Sequence, residues 1–238
     1  MTAASSTSRP EPVIPWTLID TATVPGGGEE LRLKRRGSEF SIMLGTNELM
    51  NSRLSGSEEA LARLSIGKIS DRQRPVILIG GLGMGFTLRA ALAELPQDAR
   101  VVVAELVPAV IRWAKNEMAE VFKGCLDDPR VMVVEADVGE LIRRETAVFD
   151  AILLDVDNGP EALTRDENDR IYDAGGLGAA KSALRPGGVL SIWSSAPDSR
   201  FTRRMQSAGF AVEENPTRAS TKGRGAKHMI WLGVKQAR

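Results

Sequence analysis

Apolar residues recur with two different periods along this chain. From Pro75 onward, short and nearly continuous apolar runs alternate with stretches of helical period: PVILIG at 75–80, VVVAE at 101–105, VMVVEAD at 131–137, FDAILLD at 149–155 and VLSIW at 189–193. A run apolar at every position predicts a strand covered on both faces, and its alternation with helices predicts β-α-β units in a parallel sheet. The intervening PAVIRWAKNEMAEVF at 108–122 places Ile111, Ala114, Met118 and Phe122 on one helical stripe. The tail predicts a helix near 198–208 and two last strands, AVEEN and MIWLGV.

Before Pro75 the pattern is different. Residues 13–50 are β-rich, with LRLKRRG and EFSIMLG as short strands and Arg35-Arg36-Gly37-Ser38 as the turn between them. So charged a hairpin reads as a solvated edge, or alternatively as a pairing surface for another subunit. In SEEALARLSIGKI at 57–69, a serine and two glutamates precede an apolar-periodic run, which predicts a helix with Ser57 at its N-cap. The expected fold is α/β: a doubly wound, mostly parallel, Rossmann-like sheet over residues 57–238. A small β-rich region covers 13–56, and MTAASSTSRPEP at 1–12 reads as a disordered leader.

Composition narrows the function classes. With 238 residues and 42% apolar content, the chain can bury a full core. Its formal net charge of zero gives no bulk attraction to nucleic acid or acidic lipid. No apolar run approaches the roughly 18 residues of a membrane span, so no membrane partner is expected. The single cysteine, Cys125, excludes an internal disulfide and points to a reducing, cytoplasmic setting, where it reads as inert. The single histidine, His228, excludes a histidine-rich metal site, and no metal is expected.

The candidate chemistry starts at Gly80-Gly81-Leu82-Gly83-Met84-Gly85, which leaves the first strand and enters a helix. Glycines allow a sharp turn and a close ligand approach, and Glu105 ends the next strand, where a carboxylate can accept hydrogen bonds from two ribose hydroxyls. The spacing Gly81-x-Gly83-x-Gly85 departs from the dinucleotide pattern and is closer to the S-adenosylmethionine type. Asp137 follows the third strand, in reach of an adenine edge, and also fits as the cap of the next helix. Asp155 ends the fourth strand, on the side of the sheet where such folds bind ligands. Asp155 and Asp157 are two apart, so in extended chain both face one pocket. Asp157-Asn158-Gly159 also reads as an Asx-rich turn. The acids of EALTRDENDRIY at 161–172 suit either a polyamine site or a solvated loop, and GRGAKH at 223–228 a surface hairpin. Trp16, Trp113, Trp193 and Trp231 read as packing residues, with Trp193 nearest the ligand side.

These residues resemble the spermidine synthase family, the polyamine aminopropyltransferases, whose fold is shared with class I methyltransferases. The resemblance runs over roughly 31–193, through LRLKRRGSEFSIMLGTNELMNSRLSGSEEALARL, IGGLGMGFTLRAAL, DDPRVMVVEADVGELI, FDAILLD and LRPGGVLSIW. It implies a donor with a sulfonium centre, S-adenosylmethionine or its decarboxylated form, a small-molecule amine acceptor and a homodimer. It implies cofactor-binding roles for Gly81, Gly83, Gly85, Glu105 and Asp137. The chain departs from the family at three points. The family's glycine loop carries an aspartate that grips the donor amine, where this chain has Leu82-Gly83-Met84. The family's Tyr-His-Glu motif is absent. The family's Asp-Ser-Ser/Thr-Asp-Pro loop reads Asp155-Val156-Asp157-Asn158-Gly159-Pro160, so its catalytic aspartate falls on Asn158, or on Asp157 after a one-residue shift. Aminopropyl transfer with Asp155, Asp157 and Asn158 as catalytic candidates is the leading expectation. Methyl transfer to a small molecule and a catalytically silent nucleotide-binding dimer are the alternatives.

Overall fold

The apolar runs after Pro75 become the strands of one large sheet, and the charged segment before it becomes a second, smaller sheet. The computed structural model describes residues 14–27, 30–156, 170–220 and 225–236. The expected leader at 1–12, Asp157, Asn158 and most of the acidic stretch 161–172 lie outside the described residues.

The small sheet is an antiparallel meander of β1 (Thr17–Thr23), β2 (Glu30–Arg36), β3 (Glu39–Leu44) and β4 (Asn47–Asn51), in that order. Leu31 and Leu33 of β2, with Phe40 and Ile42 of β3, are buried on one face, while the arginines and lysine between them point the other way. The β2–β3 hairpin is therefore the centre of this sheet, which corrects the edge reading. Its charges alternate with a buried side, and β1 and β4 are the outer strands.

The large sheet contains β5 (Val76–Gly80), β6 (Arg100–Glu105), β7 (Val131–Glu135), β8 (Phe149–Leu154), β9 (Leu184–Ser194), β10 (Phe210–Arg218) and β11 (Lys227–Lys235). Their order is β10-β11-β9-β8-β5-β6-β7. Parallel pairing joins β7, β6, β5, β8 and β9, and β11 alone runs against its neighbours β9 and β10. The chain builds outward from β5 through β6 to β7, then returns to place β8 on the other side of β5. This reversal is the switch point at which open α/β sheets bind ligands.

Both faces of the sheet are covered, as the continuous apolar runs require. Ile77, Ile79, Ala151 and Leu153 pack toward α1 (Gly56–Gly67), α2 (Phe86–Glu94) and α3 (Pro108–Lys115), and the small sheet's Leu33 and Ile42 join this core. Leu78, Ile152 and Leu154 pack on the opposite face against α5 (Val138–Arg144), α6 (Ala174–Ala183) and α7 (Ser199–Ser207).

Two local expectations are corrected. Residues 108–122 do not form one helix: α3 stops at Lys115 and a short α4 (Ala119–Phe122) follows. The Met118 N–H bonds back to the Trp113 carbonyl at 2.8 Å, a wide turn that still leaves Met118 and Phe122 buried. Helix α1 begins one residue before Ser57, with Ser55 at the N-cap position and no side-chain capping bond. The Ser57 hydroxyl is committed elsewhere, to Glu58 and His228.

Candidate active site

The glycine turn takes its shape from backbone geometry. Gly81, Gly83 and Gly85 all have positive φ, at +84°, +50° and +73°. A Cβ on Gly81 would lie 2.8 Å from the Asp155 carbonyl oxygen, and one on Gly85 would lie 2.5 Å from the Phe122 ring. The alternate-residue spacing is thus a steric requirement of this turn. The turn is pinned to both neighbouring strands: Gly81 N–H donates to the Ala104 carbonyl at 2.9 Å, and Asp155 N–H to the Gly80 carbonyl at 3.1 Å.

Glu105, at the end of β6, is buried and reaches across to the turn. Its Oε2 accepts the Leu82 N–H and its Oε1 the Val107 N–H, both at 2.9 Å. Burial pushes its pKa up, and the N–H groups of Val107, Leu82, Gly83 and Leu106 oppose that shift by stabilising the anion. Asp137 caps α5, its Oδ1 accepting the Glu140 N–H at 2.7 Å. Both carboxylates line one cavity with Ala104, Ala136 and Val138 at its floor. The small sheet and its β1–β2 connection close the cavity from above, through Val24, Leu31, Ile42, Leu44, Leu49 and Met50. An apolar slot with carboxylates at its rim suits a planar base joined to a polyhydroxylated sugar.

A second cavity adjoins the first, and the two share Leu49, Met50, Gly81, Gly83 and Asp155. Its other walls are Glu58 from the first turn of α1, Thr87 from the first turn of α2, Trp193 near the end of β9, and Asn51. The Thr87 hydroxyl donates to Asp155 Oδ2 at 2.8 Å. Burial, and then the charge of nearby Glu58, push the Asp155 pKa up to about 7, against the stabilising Thr87 hydrogen bond. Burial raises Glu58 as well; the Ser57 hydroxyl opposes this and Glu59 adds to it. Among the described residues, no lysine, arginine or histidine lines either cavity. Among the described residues the second cavity is therefore lined by two carboxyl groups with no basic side chain beside them.

Of the residues expected from sequence, Gly81, Gly83, Glu105, Asp137 and Asp155 meet around the first cavity, and Gly85 joins the second. Asp157 and Asn158 lie outside the described residues. Cys125 is buried away from both cavities, and burial pushes its thiol pKa up to about 11, which keeps it protonated. Among the described residues, no group of three or more His, Cys, Asp or Glu side chains is placed to hold a metal ion. No helix among them is long and apolar enough to cross a membrane. Sequence reading missed Glu58, Thr87 and Met50. Glu58 had a signal, a glutamate pair in a first helical turn, but that pattern reads first as dipole compensation.

The switch-point cleft, its glycine turn and the acid ending the next strand define a Rossmann-like α/β protein. The Spermine/spermidine synthase domain family matches residues 56–202, and the chain belongs to that family. It is 33% identical over 153 residues to a polyamine aminopropyltransferase of Mycobacterium tuberculosis, covering 60% of this chain and 28% of that protein. It is 31% identical over 128 residues to polyamine aminopropyltransferase 2 of Pseudomonas aeruginosa, covering 51% of this chain and 34% of that one. The chain thus spans about a third of the length of these curated relatives. The solved spermidine synthase of Thermotoga maritima superimposes with a TM-score of 0.70 at 18% identity, over 93% of this chain and 73% of that one. At that identity the likeness is one of fold.

Proposed function

We propose that the chain transfers an aminopropyl group from decarboxylated S-adenosylmethionine to a small amine, releasing methylthioadenosine. The observation that carries this reading is the join between the two cavities. The apolar, carboxylate-rimmed cavity takes the adenosyl part, and the sulfonium and its tail extend past Gly81 and Gly83 toward Asp155 and Glu58. A homodimer and a cytoplasmic setting remain expectations of the same reading, as do roles for Asp157 and Asn158, which follow β8 in the sequence.

The charge of the second cavity favours the decarboxylated donor. S-adenosylmethionine ends in an α-carboxylate beside its amine, whereas the decarboxylated form ends in an ammonium alone. A carboxylate set about 5 Å from one anionic side chain, at an effective dielectric constant of about 20, costs about 3 kcal/mol; an ammonium at that place gains a similar amount. Methyl transfer needs the carboxylated donor, so this wall argues against it.

The reaction is a direct displacement. The acceptor nitrogen attacks the carbon attached to sulfur, the S–C bond breaks, and its electron pair returns to sulfur. Most of the rate enhancement comes from holding the nitrogen in line with that bond, and a carboxylate takes up the amine proton. In this reading Asp155, whose Oδ2 accepts the Thr87 hydroxyl, orients the nitrogen.

Two measurements test the reading. Calorimetric titration with each donor should give tighter binding of the decarboxylated form, by roughly tenfold or more. Incubation with that donor and putrescine, spermidine or agmatine should release methylthioadenosine. Equal donor affinities together with no release across the panel would overturn it.

A further inference from the structure

The glycine turn contains no acid, yet the second cavity beside it is acidic. Leu82 and Met84 of the turn are buried and add apolar surface to that cavity. Among the described residues its carboxyl groups come from elsewhere: Asp155 directly follows β8, and Glu58 belongs to the first turn of α1. The two are not equivalent in place. Asp155 lines both cavities, so it stands at their join. Glu58 lines the second cavity and not the first, so it stands beyond the join.

The Glu58 side chain is held by a short series of hydrogen bonds. Ser57 Oγ donates to Glu58 Oε2 at 2.6 Å, and His228 Nδ1 lies 2.9 Å from Ser57 Oγ. Ser57 is fully buried, so its hydroxyl has no water to turn to. A hydroxyl has one proton. When Ser57 donates to ionised Glu58 it must accept from His228, whose neutral ring then carries its proton on Nδ1. The imidazole is itself packed edge-on against Trp193, with ring centres 4.7 Å apart. The donors therefore point one way, from His228 to Ser57 to Glu58, and end on the carboxylate. The Ser57 bond favours the ionised form of Glu58, against the burial and the neighbouring Glu59 that raise its pKa.

We propose that Glu58 anchors the terminal ammonium of the donor, aimed by Ser57 and His228, and so selects a donor that ends in an ammonium alone. The proposal rests on the aminopropyl-transfer reading for its donor. With the adenosyl group in the first cavity, the sulfonium lies at the join. Three methylenes then carry the amine past it to the Glu58 side, along Met84, Phe86 and Trp193. The attacking nitrogen must reach the carbon bonded to sulfur, which places it at the join beside Asp155. The two carboxyl groups thus serve two different nitrogens, the acceptor's reacting one and the donor's fixed one. S-adenosylmethionine carries its amine and its carboxylate on the same carbon. Glu58 would attract one and repel the other at nearly the same distance, leaving little net attraction.

Calorimetric titration at pH 8 with three ligands tests this. The wild type should bind decarboxylated S-adenosylmethionine about tenfold or more tightly than S-adenosylmethionine. Glu58→Gln should weaken the decarboxylated donor by about 10–100-fold and leave the carboxylated one unchanged or tighter, so that the preference falls to about threefold or less. Glu58→Asp, which keeps the charge on a shorter stem, should retain part of it. Asp155→Asn should retain the preference, because the sulfonium beside it is common to both donors. Methylthioadenosine, which has no ammonium, should bind Glu58→Gln as it binds the wild type, showing that the first cavity is intact.

The aiming residues have their own readout. Nitrogen-15 NMR of the single imidazole needs no assignment. The wild type at pH 8 should show the Nδ1–H tautomer. Ser57→Ala should move the neutral ring to Nε2–H and reduce the donor preference by about fivefold. An Nε2–H tautomer in the wild type would overturn the role of Ser57 and His228. A wild-type preference that survives Glu58→Gln would overturn the anchor and leave aminopropyl transfer standing. Equal wild-type affinities for the two donors would overturn the donor reading itself, and the anchor with it.

Discussion

The Asp155→Asn substitution should make the protein more stable, and increasingly so as pH rises from 5 to 7. The Asp155 carboxyl is pushed up to about 7, against an ordinary value of 3.8, chiefly by burial and then by Glu58. The folded protein therefore holds the Asp155 proton more tightly than the unfolded chain does. The resulting contribution to stability is fully present below about pH 4 and is lost as pH rises through about 7. Between those limits the wild type loses up to about 1.4 kcal/mol per pH unit from this one group, or about 2.3 kcal/mol from pH 5 to pH 7, where the folded carboxyl is half ionised. Asparagine does not titrate, and its side-chain oxygen can still accept the Thr87 hydroxyl. Urea unfolding at pH 5, 6, 7 and 8, at constant ionic strength, measures the difference in unfolding free energy between the two proteins. That difference should grow by about 2–3 kcal/mol up to pH 7 and then flatten. A difference that stays level with pH would refute the claim that a buried, destabilised carboxylate sits at this strand end.

Four other substitutions probe separate parts of the site and its support. Gly85→Ala puts a Cβ 2.5 Å from the buried Phe122 ring at a φ of +73°. Backbone strain and overpacking together should cost about 2–4 kcal/mol, lowering the melting temperature by about 5–15 °C in differential scanning calorimetry. Glu105→Gln turns an amide toward two N–H donors where a carboxylate now accepts both at 2.9 Å. Methylthioadenosine affinity by calorimetry should fall roughly 10–100-fold. Asp150 is buried on β8, and its Oδ2 accepts the Val76 N–H at 2.8 Å and Arg185 Nη1 at 2.7 Å. Asp150→Ala leaves those donors unpaired and should cost about 3–5 kcal/mol in urea unfolding, with Arg185→Ala costing less because that side chain is partly exposed.

The large sheet was legible because each of its central strands is buried on both faces and so is apolar at nearly every position. Glu105 and Asp155 stood out against those runs, since a carboxylate ending an apolar strand at the switch point has few other uses. The small sheet was only half legible. LRLKRRG and EFSIMLG were readable as strands, but β1 and β4 were not, because TLIDTAT and NELMN lack a clean alternation of apolar and polar positions. The break after Lys115 was invisible in the hydrophobic stripe, since Met118 and Phe122 are buried on either side of it.

What the sequence determined by itself is the layout that local chemistry imposes. It set the strand order along the chain, the glycine turn whose left-handed backbone admits no other residue easily, and the carboxylates at the strand ends. What only the tertiary structure decided is which distant residues share a wall. Glu58 belongs to a first helical turn, Thr87 to another, and Trp193 to strand β9, with His228 of β11 packed against it. Nothing in their local sequence distinguishes them from a helix cap, a helix residue or core packing. They meet because β8 returns to the opposite side of β5, and because β11 inserts between β9 and β10. These are long-range choices, driven by burial of two sheet faces, and no local pattern of residues records them.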